Sequence, residues 1–266
     1  MEDIVLKNRL RRKYIEVKSL RTISIDVILP TFNRADLLDK SVDSVRRQLH
    51  ENWFLYICDD GSTDGTQELC KQYESDSRIS YIYLPHQGVA SARNRGLGLA
   101  GSDYISFLDS DNIWGSEYLS LMISFVTEYS LDSAFCAARL IGDTDTQWLG
   151  DVFSWQACAE RNYIDMNCFI FKSGPQKLLF DETLKRFVDW DFILRATMTS
   201  KTSFLPLSLV DYCNKASADR ITTTVRQGPS HLEAIRNRYL SVMSDQDNID
   251  ARIVSKGLNR PSGLAV

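Results

Sequence analysis

A chain of 266 residues that is 44% hydrophobic and 25% charged, with a formal net charge of −4, has room for one large α/β domain or two small ones and the balance of an ordinary globular protein. That charge argues against nucleic acid as a partner, no apolar run approaches the ~20 residues of a membrane-spanning helix, and Met1-Glu2-Asp3 leads into basic sequence rather than a signal peptide. Six cysteines without a Cys-x-x-Cys spacing and three distant histidines (His50, His86, His231) imply a reducing, cytoplasmic setting and no zinc or histidine-built metal cluster.

Residues 1–22 read as a basic N-terminal arm. Leu10, Tyr14 and Val17 stand at helical spacing, which predicts a solvated, partly helical segment. Attraction to an anionic membrane surface, peripheral to it, is the sharper alternative. From Ile23 the pattern changes. "ISIDVILP" is a buried strand stopped by Pro30, and the next sixteen residues from Arg34 place Leu37, Leu38, Val42, Val45 and Leu49 on one helical face. "WFLYIC" is a second strand ending in the turn-rich "DDGSTDGT". A helix through Leu69 and Tyr73, the strand "RISYIYL", the helix "GVASARNRGLGLA", the strand "DYISFLD" and the helix "SEYLSLMISFVTEY" follow.

Strands alternating with helices over short connections imply a mostly parallel sheet flanked by helices. Ligands bind beyond the carboxyl ends of such strands. The polar clusters "TFNR", "DDGS" and "DSDN" each follow a strand, so all three are expected on one rim. Asp109 and Asp111 share a face if the strand geometry persists to that point. Two like charges held together resist ionisation unless a cation lies near, and a divalent ion suits hard oxygen ligands. A solvated turn or a helix N-cap is the plain alternative.

The second half is less regular. Residues 141–162 show no period and read as a loop or small excursion. "NCFIFK" is a strand, "GPQKLLFDETL" contains a short helix, and "DWDFILRAT" opens a helix with Asp189 or Asp191 near its N-terminus. "TSFLPLSLVDY" is a strand pair or one bent strand, and a helical tail follows from about Gly228. The expected division is an arm at 1–22, a single α/β domain at 23–215 and a C-terminal helical tail at 216–266 that could serve homo-oligomer assembly.

"VILPTFNR", "DDGSTDGT", "GVASARNRGLGLAGSDYISFLDSDN" and "FDETLKRFVDWDFILR", in this order, resemble the family 2 glycosyltransferases. The likeness covers about residues 23–215. It implies a GT-A fold, a Rossmann-like nucleotide half merged with a smaller acceptor-side subregion. It also implies inverting transfer of a sugar from a nucleoside diphosphate donor, UDP foremost, with Mn²⁺ or Mg²⁺. The receiver is then the hydroxyl of a saccharide or lipid-linked acceptor in surface polysaccharide or glycolipid synthesis.

Carried over position by position, the resemblance gives Pro30, Thr31 and Phe32 to the nucleoside pocket, with Phe32 stacking on the base. Asp60 accepts a hydrogen bond from a uracil-type imide, and Asp59 beside it is either a second contact or an Asx-turn. Arg93 supports the donor diphosphate in preference to Arg95, since one helical turn cannot aim both inward. In the D-x-D motif Asp111 is the metal ligand, and Asp109 holds the ribose or a metal-bound water. Asp189 is the catalytic base, with Trp190 and Asp191 on the acceptor side. Two positions depart from the family. Val188 stands where a Glu is usual, and no His follows the last strand, so Asn214, Lys215, Asp219, Arg220 or Thr222 would supply further contacts. A nucleotidyltransferase is disfavoured because "LPTFNRADLL" has no glycine, and a scaffold that kept the fold without the chemistry is the other alternative.

Overall fold

Seven consecutive buried residues, Ile25–Thr31, form the centre of the sheet. The computed structural model describes residues 2–141, 146–213 and 238–239. In chain order these contain α1 (Glu2–Glu16), β1 (Ile25–Thr31), α2 (Ala35–Arg46), β2 (Trp53–Asp59), α3 (Thr66–Cys70), β3 (Ile79–Tyr83), α4 (Val89–Leu99), β4 (Tyr104–Phe107) and β5 (Asn112–Trp114). Then come α5 (Tyr118–Glu128), β6 (Ser133–Ile141), β7 (Thr146–Leu149), α6 (Trp155–Glu160), β8 (Phe169–Lys172), α7 (Val188–Thr197) and β9 (Thr202–Cys213).

Among the described residues the strands form one sheet in the order β3-β2-β1-β4-β8-β6-β9-β5, with β7 beside β6. The run β3-β2-β1-β4 is parallel throughout, with Thr31 opposite Asp59 and Ile28 opposite Phe107. Its carboxyl ends therefore open onto a common edge. Beyond β4 the sheet is mixed: β8 runs antiparallel to β4 and β6, whereas β6 and β9 are parallel. The α/β expectation is met, with the all-parallel run of strands in the N-terminal half. Asp26 is buried inside β1 and is tolerated there because its Oδ2 accepts the Gly101 and Ser102 amides at 2.7 Å each. Helix α4 lies tightly on β1. A Cβ added at Gly96 would stand 2.6 Å from Ile28 Cγ2, so only glycine lets the helix approach this closely.

The N-terminal arm is not a solvated appendage. Leu10 is fully buried and Tyr14 nearly so, on the face of α1 that packs against α5. Lys7 and Arg11 pair with Glu117, and Lys13 pairs with Glu128. The Tyr14 hydroxyl lies 2.9 Å from His50 Nδ1, while His50 Nε2 lies 2.9 Å from the Ile23 carbonyl. The carbonyl only accepts, so Nε2 carries the ring proton and Nδ1 takes the tyrosine hydrogen. Burial lowers the His50 pKa and keeps this pair neutral.

Residues 146–162 also form more regular structure than the sequence suggests. β7 forms a hairpin with β6, and α6 buries Trp155, whose indole donates to the Leu194 carbonyl of α7 at 3.1 Å. The short helix expected within residues 174–184 is absent. That stretch is irregular, braced by Asn94, whose amide bonds both the N–H and the carbonyl of Phe180. β9 is one bent strand, because Cys136 faces Leu205 while its neighbour Ala137 faces Ser208. The intervening pair includes Pro206, which has no N–H for the ladder. The expected C-terminal tail and its assembly role lie outside the described residues, except that 238–239 are helical. Among the described residues no helix is long and apolar enough to cross a membrane. The cysteines at 58, 70, 136, 158 and 168 are buried and free.

Candidate active site

The strand ends open onto a cleft of about 660 Å³. Pro30, Thr31 and Phe32 enter it from the end of β1, Asp60 from the end of β2, and Asp109 and Asp111 from the turn after β4. Arg93 of α4 and Asp189 of α7 complete its polar lining. Carboxylates that stand far apart in the chain, at 60, 111 and 189, thus share one cavity.

One part of the cleft is built around an aromatic surface. Phe32 remains 40% exposed and stacks on His86, with centroids 4.3 Å apart and planes at 21°. Beside it Thr31 is 3% exposed, and its Oγ1 has no hydrogen-bond partner among the described residues. A buried hydroxyl without a partner is costly, and here it lines a cavity. Asp60 Oδ1 accepts the Gln87 amide at 2.8 Å, and Oδ2 accepts the Gly88 amide at 2.9 Å. Asp59 plays a different part. It is fully buried and bonds the Ser62 amide at 2.8 Å and the Tyr81 hydroxyl at 2.6 Å, which is the turn role. Gly61 follows at φ +83°, where a Cβ would come within 2.9 Å of the His86 nitrogen. Asn33 and Arg34 also line the cleft, and Asn33 ties two loops together through Ser62 and Thr63.

The other part is ionic. β4 ends at Phe107, so the alternation expected to align Asp109 and Asp111 does not persist. A tight turn closed by the Asn112 amide on the Asp109 carbonyl at 3.1 Å brings both into the cleft instead. Arg93 is 2% exposed, and its guanidinium spans two carboxylates. It donates to Asp109 Oδ1 at 2.8 Å and, from its other terminal nitrogen, to Asp189 Oδ1. Arg95 faces solvent. Burial alone would lower the Arg93 pKa; Asp189 and Asp109 outweigh it and hold the side chain firmly charged. Burial pushes Asp189 above the ordinary carboxylate range, Arg93 pulls it back, and Asp109 adds to the push. Asp189 still keeps 39% of its side-chain surface open. Its presentation depends on Phe187, which holds a left-handed conformation (φ 59°, ψ 24°) as the N-cap of α7. Such a conformation in a bulky residue is strained, and strain of this kind clusters at working sites.

Trp190 and Asp191, expected on the acceptor side, do not line the cleft. Both are fully buried, because successive residues of a helix are rotated by about 100° and cannot follow Asp189 into the cleft. The Trp190 indole donates to the Cys158 carbonyl at 2.6 Å. Asp191 is held by Arg195 at 2.9 Å and by Arg238 and Tyr239 at 2.7 Å each. Neither aspartate is the N-cap of α7. Asn214, Lys215, Asp219, Arg220 and Thr222 lie outside the described residues.

Asn167 and Asp165 were not singled out by the sequence. The Asn167 side chain donates to Asp109 Oδ2 at 3.1 Å and accepts the Asp109 amide at 2.5 Å. It also donates to Asp165 at 2.7 Å, whose pKa burial and nearby Asp109 push up to about 6. Only the short Asp-x-Asn before "CFIF" hints at this clamp.

Among the described residues no three His, Cys, Asp or Glu side chains are grouped to hold a metal ion. The donor set nonetheless fits Mg²⁺ or Mn²⁺, which are commonly bound through one or two carboxylates plus substrate phosphates and water. Asp109 and Asp111 offer those oxygens on the cleft wall.

Comparison with known proteins agrees with this arrangement. The family model for glycosyl transferase family 2 matches residues 26–186. The putative teichuronic acid biosynthesis glycosyltransferase TuaG of Bacillus subtilis (strain 168) is 39% identical over 124 residues, 46% of this chain and 49% of that protein. The UDP-Glc:alpha-D-GlcNAc-diphosphoundecaprenol beta-1,3-glucosyltransferase WfgD of Escherichia coli is 36% identical over 120 residues, 45% of this chain and 47% of that protein. This chain therefore spans about half the length of these curated relatives. Among solved structures, S. aureus TarS 1-349 in complex with UDP-GlcNAc superposes with a TM-score of 0.72 at 17% identity, covering 86% of this chain and 69% of that one. The mannosyltransferase PcManGT from Pyrobaculum calidifontis, in complex with GDP-Man and Mn²⁺, gives 0.57 at 15% identity, covering 97% and 87%. These two share the GT-A fold with this chain.

Proposed function

This chain belongs to glycosyl transferase family 2, and on that premise we propose that it is an inverting glycosyltransferase. It moves a sugar from a UDP donor to a hydroxyl of a saccharide or lipid-linked acceptor in surface polysaccharide or glycolipid synthesis. The observation that carries this reading is the single cleft shared by Asp111, Asp109, Arg93 and Asp189 with Thr31, Phe32 and Asp60. UDP is favoured because TarS was crystallised with UDP-GlcNAc and WfgD is named for UDP-Glc. The diphosphoundecaprenol in WfgD's name supports a lipid-linked acceptor.

The roles are as follows. Phe32 stacks on the base, as it does on His86 in the free protein. The Thr31 hydroxyl, unpartnered among the described residues, finds its partner there. The Gln87 and Gly88 amides fix Asp60. A carboxylate has about four lone-pair sites, so Asp60 still accepts a uracil imide N–H. Mn²⁺ or Mg²⁺ on Asp111 and Asp109 would add positive charge beside the diphosphate. Arg93 is a fixed cation already in place, stabilising the charge that develops on the leaving group. Asp189 takes the proton from the acceptor hydroxyl, whose oxygen forms a bond to the anomeric carbon from the face opposite the departing diphosphate. Attack from that side inverts the configuration. Positioning and electrostatics carry most of the rate, which suits a site whose first base neighbour, Val188, is apolar.

The test is an assay of UDP-Glc, UDP-GlcNAc and GDP-Man against a lipid-linked saccharide, with product stereochemistry read by NMR. The expected result is transfer from a UDP sugar, inverted at the anomeric carbon and suppressed by EDTA. A preference for GDP-Man contradicts the base assignment, and a retained configuration contradicts the mechanism.

A further inference from the structure

Helix α1 also exposes aliphatic side chains away from the face it buries among the described residues. Leu10 and Tyr14 commit one side of the helix to the core. Ile4, Val5 and Ile15 remain 64%, 68% and 64% exposed. At about 100° per residue, Ile4, Asn8, Ile15 and Arg12 fall within one stripe roughly 80° wide, with Val5 at its border. The stripe runs about 16 Å from Ile4 to Ile15 at 1.5 Å per residue.

The charges divide in the same way. Lys7, Arg11 and Lys13 are bound to Glu117 and Glu128 of α5. Arg12 and Lys18 make no ion pair among the described residues, and both are exposed. Across residues 1–22 the sequence holds seven Lys and Arg against three Asp and Glu, in a chain whose net charge is −4. Residues 1–22 thus carry a net positive charge alongside the exposed aliphatic side chains.

We propose that α1 is an in-plane membrane contact, laying Ile4, Val5 and Ile15 into the headgroup boundary of an anionic bilayer while Arg12 and Lys18 meet lipid phosphates. Exposed aliphatic side chains beside basic ones that no carboxylate among the described residues neutralises suit shallow contact with an anionic lipid surface rather than a span across it. A second copy of the chain is the competing occupant of this face, and the oligomeric state of the parent and the triple variant tells the two apart. The purpose served, bringing the cleft to a lipid-linked acceptor, rests on the glycosyltransferase reading; the binding itself does not.

The experiment is co-sedimentation of the full chain with phosphatidylcholine vesicles and with vesicles containing one-third phosphatidylglycerol. Binding to the anionic vesicles is expected to exceed binding to the neutral ones by at least about tenfold and to weaken as salt rises, because screening shortens the reach of surface charge. Ile4→Glu/Val5→Glu/Ile15→Glu and Arg12→Glu/Lys18→Glu variants should each lose at least about tenfold of this partitioning. Their melting temperatures and their transfer to a soluble acceptor should stay unchanged. Equal binding to both vesicle types, no binding by the parent chain, or full binding by the variants overturns the proposal. So does a parent dimer that the triple variant converts to monomer. Loss of transfer with intact vesicle binding would count against the catalytic reading alone.

Discussion

Replacing Asp189 by asparagine is expected to lower kcat by about 10²–10⁴-fold, the usual contribution of a general base, with donor affinity little changed. Asparagine keeps the shape of the side chain and cannot accept the proton. It also frees one end of the Arg93 guanidinium, which keeps its bond to Asp109, so the donor side of the cleft retains its charge. Titration calorimetry with UDP, paired with steady-state kinetics, separates the two effects. The pH profile adds a second readout. The base must be ionised, so the rate falls as pH drops through the Asp189 pKa. Burial raises that pKa above the ordinary carboxylate range, and the acid limb should therefore begin at higher pH than for an exposed aspartate. A turnover that survives Asp189→Asn within a factor of three removes this residue from the chemistry.

Replacing Arg93 by alanine should damage both stability and activity. It strands Asp109 and Asp189, which face each other across the guanidinium, and empties a site covered by the ring of Phe180 5.3 Å away. Breaking a buried pair by removing one partner costs about 3–5 kcal/mol. Asp109 and Asp189 keep 30% and 39% of their side chains open to solvent, so the lower end, about 3 kcal/mol, is the better expectation. That corresponds to a fall of roughly 6–12 °C in melting temperature for a chain of this size. Without Arg93 nothing pulls Asp189 back, and burial leaves its folded pKa above its unfolded one. A group of that kind favours the fold at low pH and loses its contribution as pH rises through the folded value. The deficit of Arg93→Ala should therefore shrink as pH is lowered from 7 towards 5, and melts across that range check it. A deficit independent of pH would mean that lost packing, not stranded charge, is the cause. Arg93→Lys should recover part of the stability and less of the activity, since an ammonium cannot span both carboxylates as a planar fork does.

How far the sequence led differs between the two halves. The alternation of strands and helices from Ile25 to Glu128 was legible because each of β1 to β4 is a short run rich in β-branched or aromatic residues, and α2 and α5 carry apolar faces. That alternation alone put "TFNR", "DDGS" and "DSDN" on one rim. The choice between Arg93 and Arg95 was also legible, since two residues on one helix lie about 200° apart. The same argument, applied to Asp189, Trp190 and Asp191, places the latter two away from the cleft; grouping them by motif obscured it.

What the sequence hid depends on distant partners. The attachment of α1 rests on Leu10, Tyr14 and ion pairs to Glu117 and Glu128, more than a hundred residues away, which leaves almost no local signature. β7 and α6 span four and six residues, too short to express a period. Asn167 is a neutral residue whose role exists only because Asp109 lies opposite it.

The account turns on one cleft holding the donor's diphosphate and the base that activates the acceptor. A crystal structure with UDP and Mn²⁺ tests this most directly. It should show uracil against Phe32 and Thr31, the diphosphate between Arg93 and a metal on Asp111, and the Asp189 carboxylate facing the open space beside the β-phosphate. UDP bound elsewhere, or a β-phosphate walled off from Asp189, would contradict it.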